Sequence, residues 1–204
     1  MNKTLYTEPP GGPTLLRPLH VFFLIDCSST MGKYGKIQAL NNALRDAVAF
    51  IQKQACKDLC EVFLSVIKYS DGAKWHIKRA NLVEEFKWVD LSAGGCTDMG
   101  QAFTLLADQL KMPPMEPRSY RPTIILIAAV EPSDDWRSGL EKVLELPWGQ
   151  KALRLAIAIG DDFEHGPLVE FINNPEIPVL QANNSEELAD KIRRCFSKYH
   201  FFLH

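Results

Sequence analysis

The chain has 204 residues, of which 46% are hydrophobic and 24% charged, values that are ordinary for a globular domain with one substantial core. Its net charge of −2 supplies no broad positive field for binding DNA or RNA. No apolar run approaches the roughly 20 residues of a membrane-spanning helix, and the N-terminus lacks the apolar core of a secretory signal, so we expect a cytoplasmic protein without a membrane segment.

Residues 1–18 are predicted to be a flexible lead-in, because the run from Pro9 to Pro13 cannot form a helix or a central strand. We therefore place the domain at 19–204. The run from His20 to Asp26 is almost continuously apolar and ends in an acid, the pattern of a central parallel strand buried on both faces. After it, apolar residues recur at helical spacing over 36–57, which predicts a long amphipathic helix.

The remainder of the chain alternates between strand and helix patterns. A second strand over 61–69 is followed by the hairpin signal Asp71-Gly72 and a short edge strand over 74–78. Further strands are predicted at 123–128, 153–159 and 177–180, and further helices at 98–110, 136–146, 163–173 and 185–196. This alternation predicts an α/β fold: a doubly wound, mostly parallel six-stranded sheet with one antiparallel edge strand and helices on both faces.

A set of oxygen-bearing side chains follows the first strand directly. Asp26, Ser28 and Thr30 stand at alternate positions, so a carboxylate and two hydroxyls can converge where the strand ends. Hard oxygen ligands of this kind suit Mg²⁺, whereas the five cysteines lack the paired spacing of a zinc site. Because ligands of doubly wound sheets bind at the carboxyl ends of the strands, the loops after Asp26, around Gly95 and after Ala128 are the expected site.

The segment Asp26-x-Ser28-x-Thr30 resembles the Asp-x-Ser-x-Ser motif of the metal-ion-dependent adhesion site (MIDAS) of von Willebrand factor A (VWA) domains, with threonine in place of the last serine. The glycine-rich segment 93–97 is similar to the family's second element, which implies Thr97 as a further ligand. The resemblance runs from Arg17 to about Tyr199. Four segments look like those of VWA proteins of the bacterial tellurium-resistance (TerY-like) type: SVIKYSDGAKW, LSAGGCTDMGQA, EPSDDW and AIAIGDD.

One element of the family's site differs in this chain. The family has Thr-Asp-Gly at the end of the fourth strand, whereas Ala128-Ala129-Val130 stand at the matching positions. The loss of that aspartate leaves Asp26 as the sole carboxylate of the motif, with Asp98 and Asp134 as accessory candidates. We therefore expect a degenerate site that binds Mg²⁺, Mn²⁺ or Ca²⁺ weakly, and that a carboxylate of the partner completes.

The resemblance implies a non-enzymatic protein–protein interaction module of a bacterial stress-response or defence system, working beside a protein kinase and a PP2C-like phosphatase. Two alternatives stay open. One is a scaffold without metal, in which the Asp26 motif only folds the strand-to-helix turn. The other is a haloacid-dehalogenase-like phosphatase with Asp26 as nucleophile and Asp161 and Asp162 holding Mg²⁺, which is disfavoured because Ser28 stands where that reaction needs an acid.

Overall fold

The computed structural model describes residues 17–55, 60–77, 83, 86–160 and 165–199. Its strands are β1 (Arg17–Asp26), β2 (Cys60–Ser70), β3 (Gly72–Ile77), β4 (Thr123–Ala128), β5 (Leu153–Ile159) and β6 (Leu180–Ala182). Its helices are α1 (Lys36–Ala55), α2 (Met99–Leu110), α3 (Trp136–Leu144), α4 (Pro147–Lys151), α5 (Gly166–Ile172) and α6 (Ser185–Tyr199), and a 3-10 segment spans Ser29–Gly35.

The strands form one sheet in the order β3-β2-β1-β4-β5-β6. All neighbouring strands are parallel except β3, which runs antiparallel to β2 at the edge. The predicted fold class is therefore confirmed. Successive strands first extend the sheet to one side of β1 and then to the other, so the strand order reverses between β1 and β4. In doubly wound sheets the ligand crevice lies at this reversal.

Strand β1 is buried on both faces, which explains its continuous apolar sequence. Val21, Phe23 and Ile25 belong to one hydrophobic cluster, which also contains side chains of α1 and α6. Phe22 and Leu24 belong to a second cluster with side chains of α2, α3 and α5. The two clusters hold β1 rigidly in the centre of the sheet, so the residue that ends the strand has a fixed position.

Several boundaries differ from the sequence prediction. The last strand is Leu180–Ala182 rather than 177–180, since pairing with β5 begins at Leu180 and Pro178 has no N–H group for a ladder bond. The helix predicted over 136–146 ends at Leu144, and Pro147 begins a further short helix, α4, that was not predicted. Strand β1 begins at Arg17, two residues before the predicted start of the domain.

Some of the predicted features lie outside the described residues. These are residues 1–16 of the lead-in predicted over 1–18, the beginning of the helix predicted over 163–173, and the acids Asp161 and Asp162. Within the ranges that the structure describes, no helix is both long enough and apolar enough to cross a membrane.

Candidate functional site

Asp26 is the acid at the carboxyl end of β1, and its side chain is fully buried. Its Oδ1 accepts a hydrogen bond from the N–H of Ser28 at 2.8 Å, and its Oδ2 accepts one from the N–H of Ala129 at 3.0 Å. One carboxylate therefore joins the turn after β1 to the first residue after β4. This is the place where the strand order reverses and where a ligand is expected.

The pKa of Asp26 is raised above its usual value of 3.8, mainly because burial disfavours the charged form. The hydrogen bonds from Ser28 and Ala129 and the positive charge of Lys36 act in the opposite direction. The carboxylate is thus held by amides but remains costly to ionise. A cation bound beside it would favour the charged form.

Replacing Asp26 with asparagine is expected to change how stability depends on pH. The pKa of Asp26 is higher in the folded than in the unfolded protein. The favourable contribution of its protonated carboxyl to stability is therefore present below the pKa of the unfolded state and is lost as the pH rises through the pKa of the folded state. Metal-free wild type should therefore lose stability relative to Asp26→Asn with rising pH. Urea unfolding of both proteins from about pH 3 to about pH 8 measures this, and a pH-independent difference would contradict the raised pKa.

The Ser28 hydroxyl has no hydrogen-bond partner among the described residues, although Ser28 is only 2% exposed. It lies near enough to Asp26 to lower the pKa of that carboxyl without forming a well-directed bond. A buried hydroxyl without a partner is costly, and an ion at this position would satisfy it. Thr30 lies two residues further on, half-buried in the 3-10 segment.

The glycine-rich loop before α2 is tied to the turn after β1 by three hydrogen bonds. The N–H of Gly94 donates to the carbonyl of Cys27 at 2.8 Å. The N–H and the hydroxyl of Ser29 donate to the carbonyl of Gly95 at 3.0 and 2.9 Å. At φ +84° Gly95 lies in the left-handed region, which glycine adopts without steric cost. Thr97, two residues later, is buried.

Asp98, a predicted accessory acid, connects three segments of the chain. Its Oδ2 accepts the N–H of Gly72 at 2.7 Å, and its Oδ1 accepts the hydroxyl of Ser133 at 3.0 Å. The same Ser133 oxygen accepts the N–H of Thr97 at 2.9 Å. Sequence reasoning missed Ser133. Its position in the loop after β4, where serine commonly bonds to backbone groups, was the available signal.

Asp134, the other accessory acid, lies against the first turn of α2. Its two carboxylate oxygens accept the N–H groups of Gly100 and Gln101 at 2.9 and 3.0 Å. The first amides of a helix have no partner within the helix and favour negative charge. Asp134 thus fastens the loop after β4 to α2, and both accessory acids already hold backbone amides.

Tyr69 lies beside Asp26 in the neighbouring strand, as its register partner, and it was also missed from the sequence. It is fully buried, and its hydroxyl donates to the carbonyl of Ile127 at 3.2 Å. Burial, followed by the negative charge of Asp26, raises the pKa of Tyr69 well above its usual value. Tyr69 therefore remains a neutral donor and links β2 to β4 beneath the site.

The donor set suits a hard cation but carries little charge. Among the residues that the structure describes, no three His, Cys, Asp or Glu side chains converge as a metal site. An ion at the rim would depend on the Asp26 carboxylate, the hydroxyls of Ser28, Thr30 and Thr97, and water. Mg²⁺ accepts such a shell, since it binds few carboxylates and keeps several waters.

No protein-family model matches the sequence, and no curated protein is significantly similar to it. Similar solved structures include a von Willebrand factor type A protein from Catenulispora acidiphila, with 19% identity and a TM-score of 0.65, covering 90% of this chain and 42% of that chain. The ArnB paralog VWA2 from Sulfolobus acidocaldarius has 19% identity and a TM-score of 0.60, covering 87% of this chain and 44% of that chain.

A third similar structure is proximal thread matrix protein 1 from the mussel byssus with a zinc-occupied MIDAS motif, at 15% identity and a TM-score of 0.62, covering 87% of this chain and 44% of that chain. This chain spans less than half the length of each of the three. At such low identities the similarity concerns the fold. The strand order, the one antiparallel edge strand and these neighbours together show that the chain has the von Willebrand factor A fold.

Proposed function

We propose that this chain is a non-enzymatic interaction module that binds a protein partner at the carboxyl rim of its sheet. One observation carries the proposal: the buried Asp26 carboxylate joins the loops after β1 and β4 beside the buried, unpartnered hydroxyl of Ser28. A carboxylate and an unpartnered hydroxyl at the point where the strand order reverses favour a ligand there. Among the described residues, no recorded hydrogen bond joins either group to a histidine or lysine that would activate a nucleophile.

Asp26, Ser28, Thr30 and Thr97 would hold a divalent cation, Mg²⁺ with Mn²⁺ or Ca²⁺ as alternatives. When bound, the ion supplies an open coordination position for a carboxylate oxygen of the partner. The chain's own residues position the ion, since the hydrogen bonds around Asp26, Thr97 and Ser133 fix the three loops. With alanine at position 129, the ion is held weakly until the partner adds its own charge.

The sequence resemblance supports a narrower version of the proposal. The chain would then act in the cytoplasm, in a bacterial tellurium-resistance-like stress-response or defence system, with a protein kinase and a PP2C-like phosphatase as partners. The zinc in the MIDAS motif of the mussel protein supports a divalent ion at the similar motif of this chain.

A scaffold that works without metal is the second candidate. It is favoured by the hydrogen bonds that the acids already accept, since both oxygens of Asp26 and of Asp134 hold backbone amides. Such a network keeps the loops in place without an ion. The phosphatase alternative stays a sequence prediction, because Asp161 and Asp162 lie outside the described residues.

The proposal is tested by capturing partners from an extract of the native cell on the immobilised chain, with Mn²⁺ or with a chelator. We expect a partner to be retained in Mn²⁺ by wild type and lost in chelator, because the ion bridges the two proteins. Asp26→Ala should retain none in either condition. Asp46→Ala, which removes an exposed acid of α1, is the matched control and should behave as wild type.

Two other results would change the assignment. Equal retention with and without Mn²⁺ by all three proteins would support the scaffold. No retained partner in any condition would contradict the interaction module itself.

A further inference from the structure

Lys36 is a positively charged residue in an unfavourable place. It is the first residue of α1, and the first turn of that helix contains no acid. A helix N-terminus carries partial positive charge, so a lysine there is disfavoured relative to a neutral residue. Helix formation therefore does not explain why a lysine stands at this position.

The side chain of Lys36 extends over the carboxyl rim of the sheet. A Cβ at Gly160 would lie 2.9 Å from Lys36 Nζ and 3.5 Å from its Cε, so the ammonium lies against the glycine that follows β5. Gly160 is two residues beyond Ala158, which pairs with Ala128 at the end of β4. The charge of Lys36 is thus directed to the same end of the sheet as Asp26.

No ion pair recorded among the described residues includes Lys36. Burial raises the pKa of Asp26, and the positive charge of Lys36 opposes that rise, so the two groups interact through space. Burial raises the pKa of Cys27 as well, and the positive charge of Lys68, which precedes the register partner Tyr69 of Asp26, opposes that rise. Asp134 is also close enough to raise the pKa of Tyr69, but its oxygens hold the amides of α2.

Among the residues that the structure describes, the charge balance of the rim follows from these positions. The family's second carboxylate is replaced by Ala129, whose N–H points to Asp26 Oδ2. Lys36 then supplies a charge opposite to that of Asp26 at the same end of the sheet. Resting on the function proposed above, we propose that Lys36 is a fixed cation of the rim that lowers the site's affinity for divalent ions in the free protein. Occupancy of the site by a divalent ion then depends on a carboxylate of the partner, which is attracted by both the ion and Lys36.

The affinity of the purified chain for Mn²⁺ alone, measured by calorimetric titration at low salt, tests this inference. Lys36→Met keeps much of the side-chain volume and removes the charge, so it should bind Mn²⁺ about three- to tenfold more tightly than wild type. Lys36→Arg keeps the charge and should bind as wild type does. The matched control is Lys33→Met, which removes an exposed lysine three residues earlier in the 3-10 segment.

Salt provides a second readout that a packing effect would not show. The difference in Mn²⁺ affinity between Lys36→Met and wild type should become smaller at high salt, because screening weakens the repulsion between Lys36 and the ion. Equal Mn²⁺ affinities of wild type and Lys36→Met at low salt would overturn the inference while leaving the metal site intact. Absence of Mn²⁺ binding in every variant would overturn both the metal site and the inference.

Discussion

Gly139→Ala is expected to lower the free energy of unfolding by about 3 kcal/mol. A Cβ at this position would lie 2.4 Å from the carbonyl oxygen of Gly100 and 2.8 Å from its Cα. These atoms belong to the backbone of α2. The clash with the added Cβ can therefore be relieved only by separating α2 from α3. Because Asp134 binds the amide of Gly100, the separation should also weaken Mn²⁺ binding at the rim.

Urea unfolding followed by circular dichroism measures the loss. Gly166→Ala is the matched control, since a Cβ at Gly166 would meet no atom within 4 Å. Its free energy of unfolding should stay within about 0.5 kcal/mol of wild type. If the two variants lost similar stability, the close approach of α2 and α3 would not be the cause.

Ala129→Asp is expected to tighten Mn²⁺ binding by about tenfold or more, because it adds a second carboxylate beside Asp26. The N–H of residue 129 already bonds to Asp26 Oδ2, so the two residues are adjacent in space. Without metal, the new charge should lower the melting temperature, since it is placed at a buried position near another carboxylate. Added Mn²⁺ should raise the melting temperature of Ala129→Asp again. Calorimetric titration and thermal unfolding measure the two effects.

Ala129→Asn is the control, because it is similar in size to aspartate and carries no charge. It should reproduce any steric cost of the longer side chain without the gain in affinity. An Ala129→Asp protein that folds but binds Mn²⁺ no better than wild type would contradict the MIDAS interpretation of the rim and favour the scaffold.

The architecture could be predicted from the sequence because the central strands are buried on both faces. Their uninterrupted apolar runs, such as the one ending at Asp26, are distinct from the helical spacing of α1. Strands β1, β2, β4 and β5 followed from that contrast, and the antiparallel edge strand followed from the hairpin signal Asp71-Gly72. The short last strand did not, since its three residues from Leu180 to Ala182 are defined by pairing with β5 rather than by composition.

The candidate site was only partly accessible from the sequence. Asp26 and the loop of Gly94 and Gly95 were found because they follow a recognisable local pattern, and hydrogen bonds join them to the same rim. Ser133 and Lys36 were not found. Their importance depends on contacts with residues far away in the chain, at Thr97 and Gly160, which no local pattern encodes.

The bond from Ala129 to Asp26 connects residues 103 positions apart, and it exists only when β1 and β4 are paired. An ion or partner that binds both loops therefore recognises the folded chain and has no preformed site in the unfolded one. By mass action, every ligand of this rim should raise the unfolding temperature, and the rise should grow with the logarithm of the ligand concentration above its dissociation constant. A thermal-shift screen could thus identify the physiological ion before any partner is known.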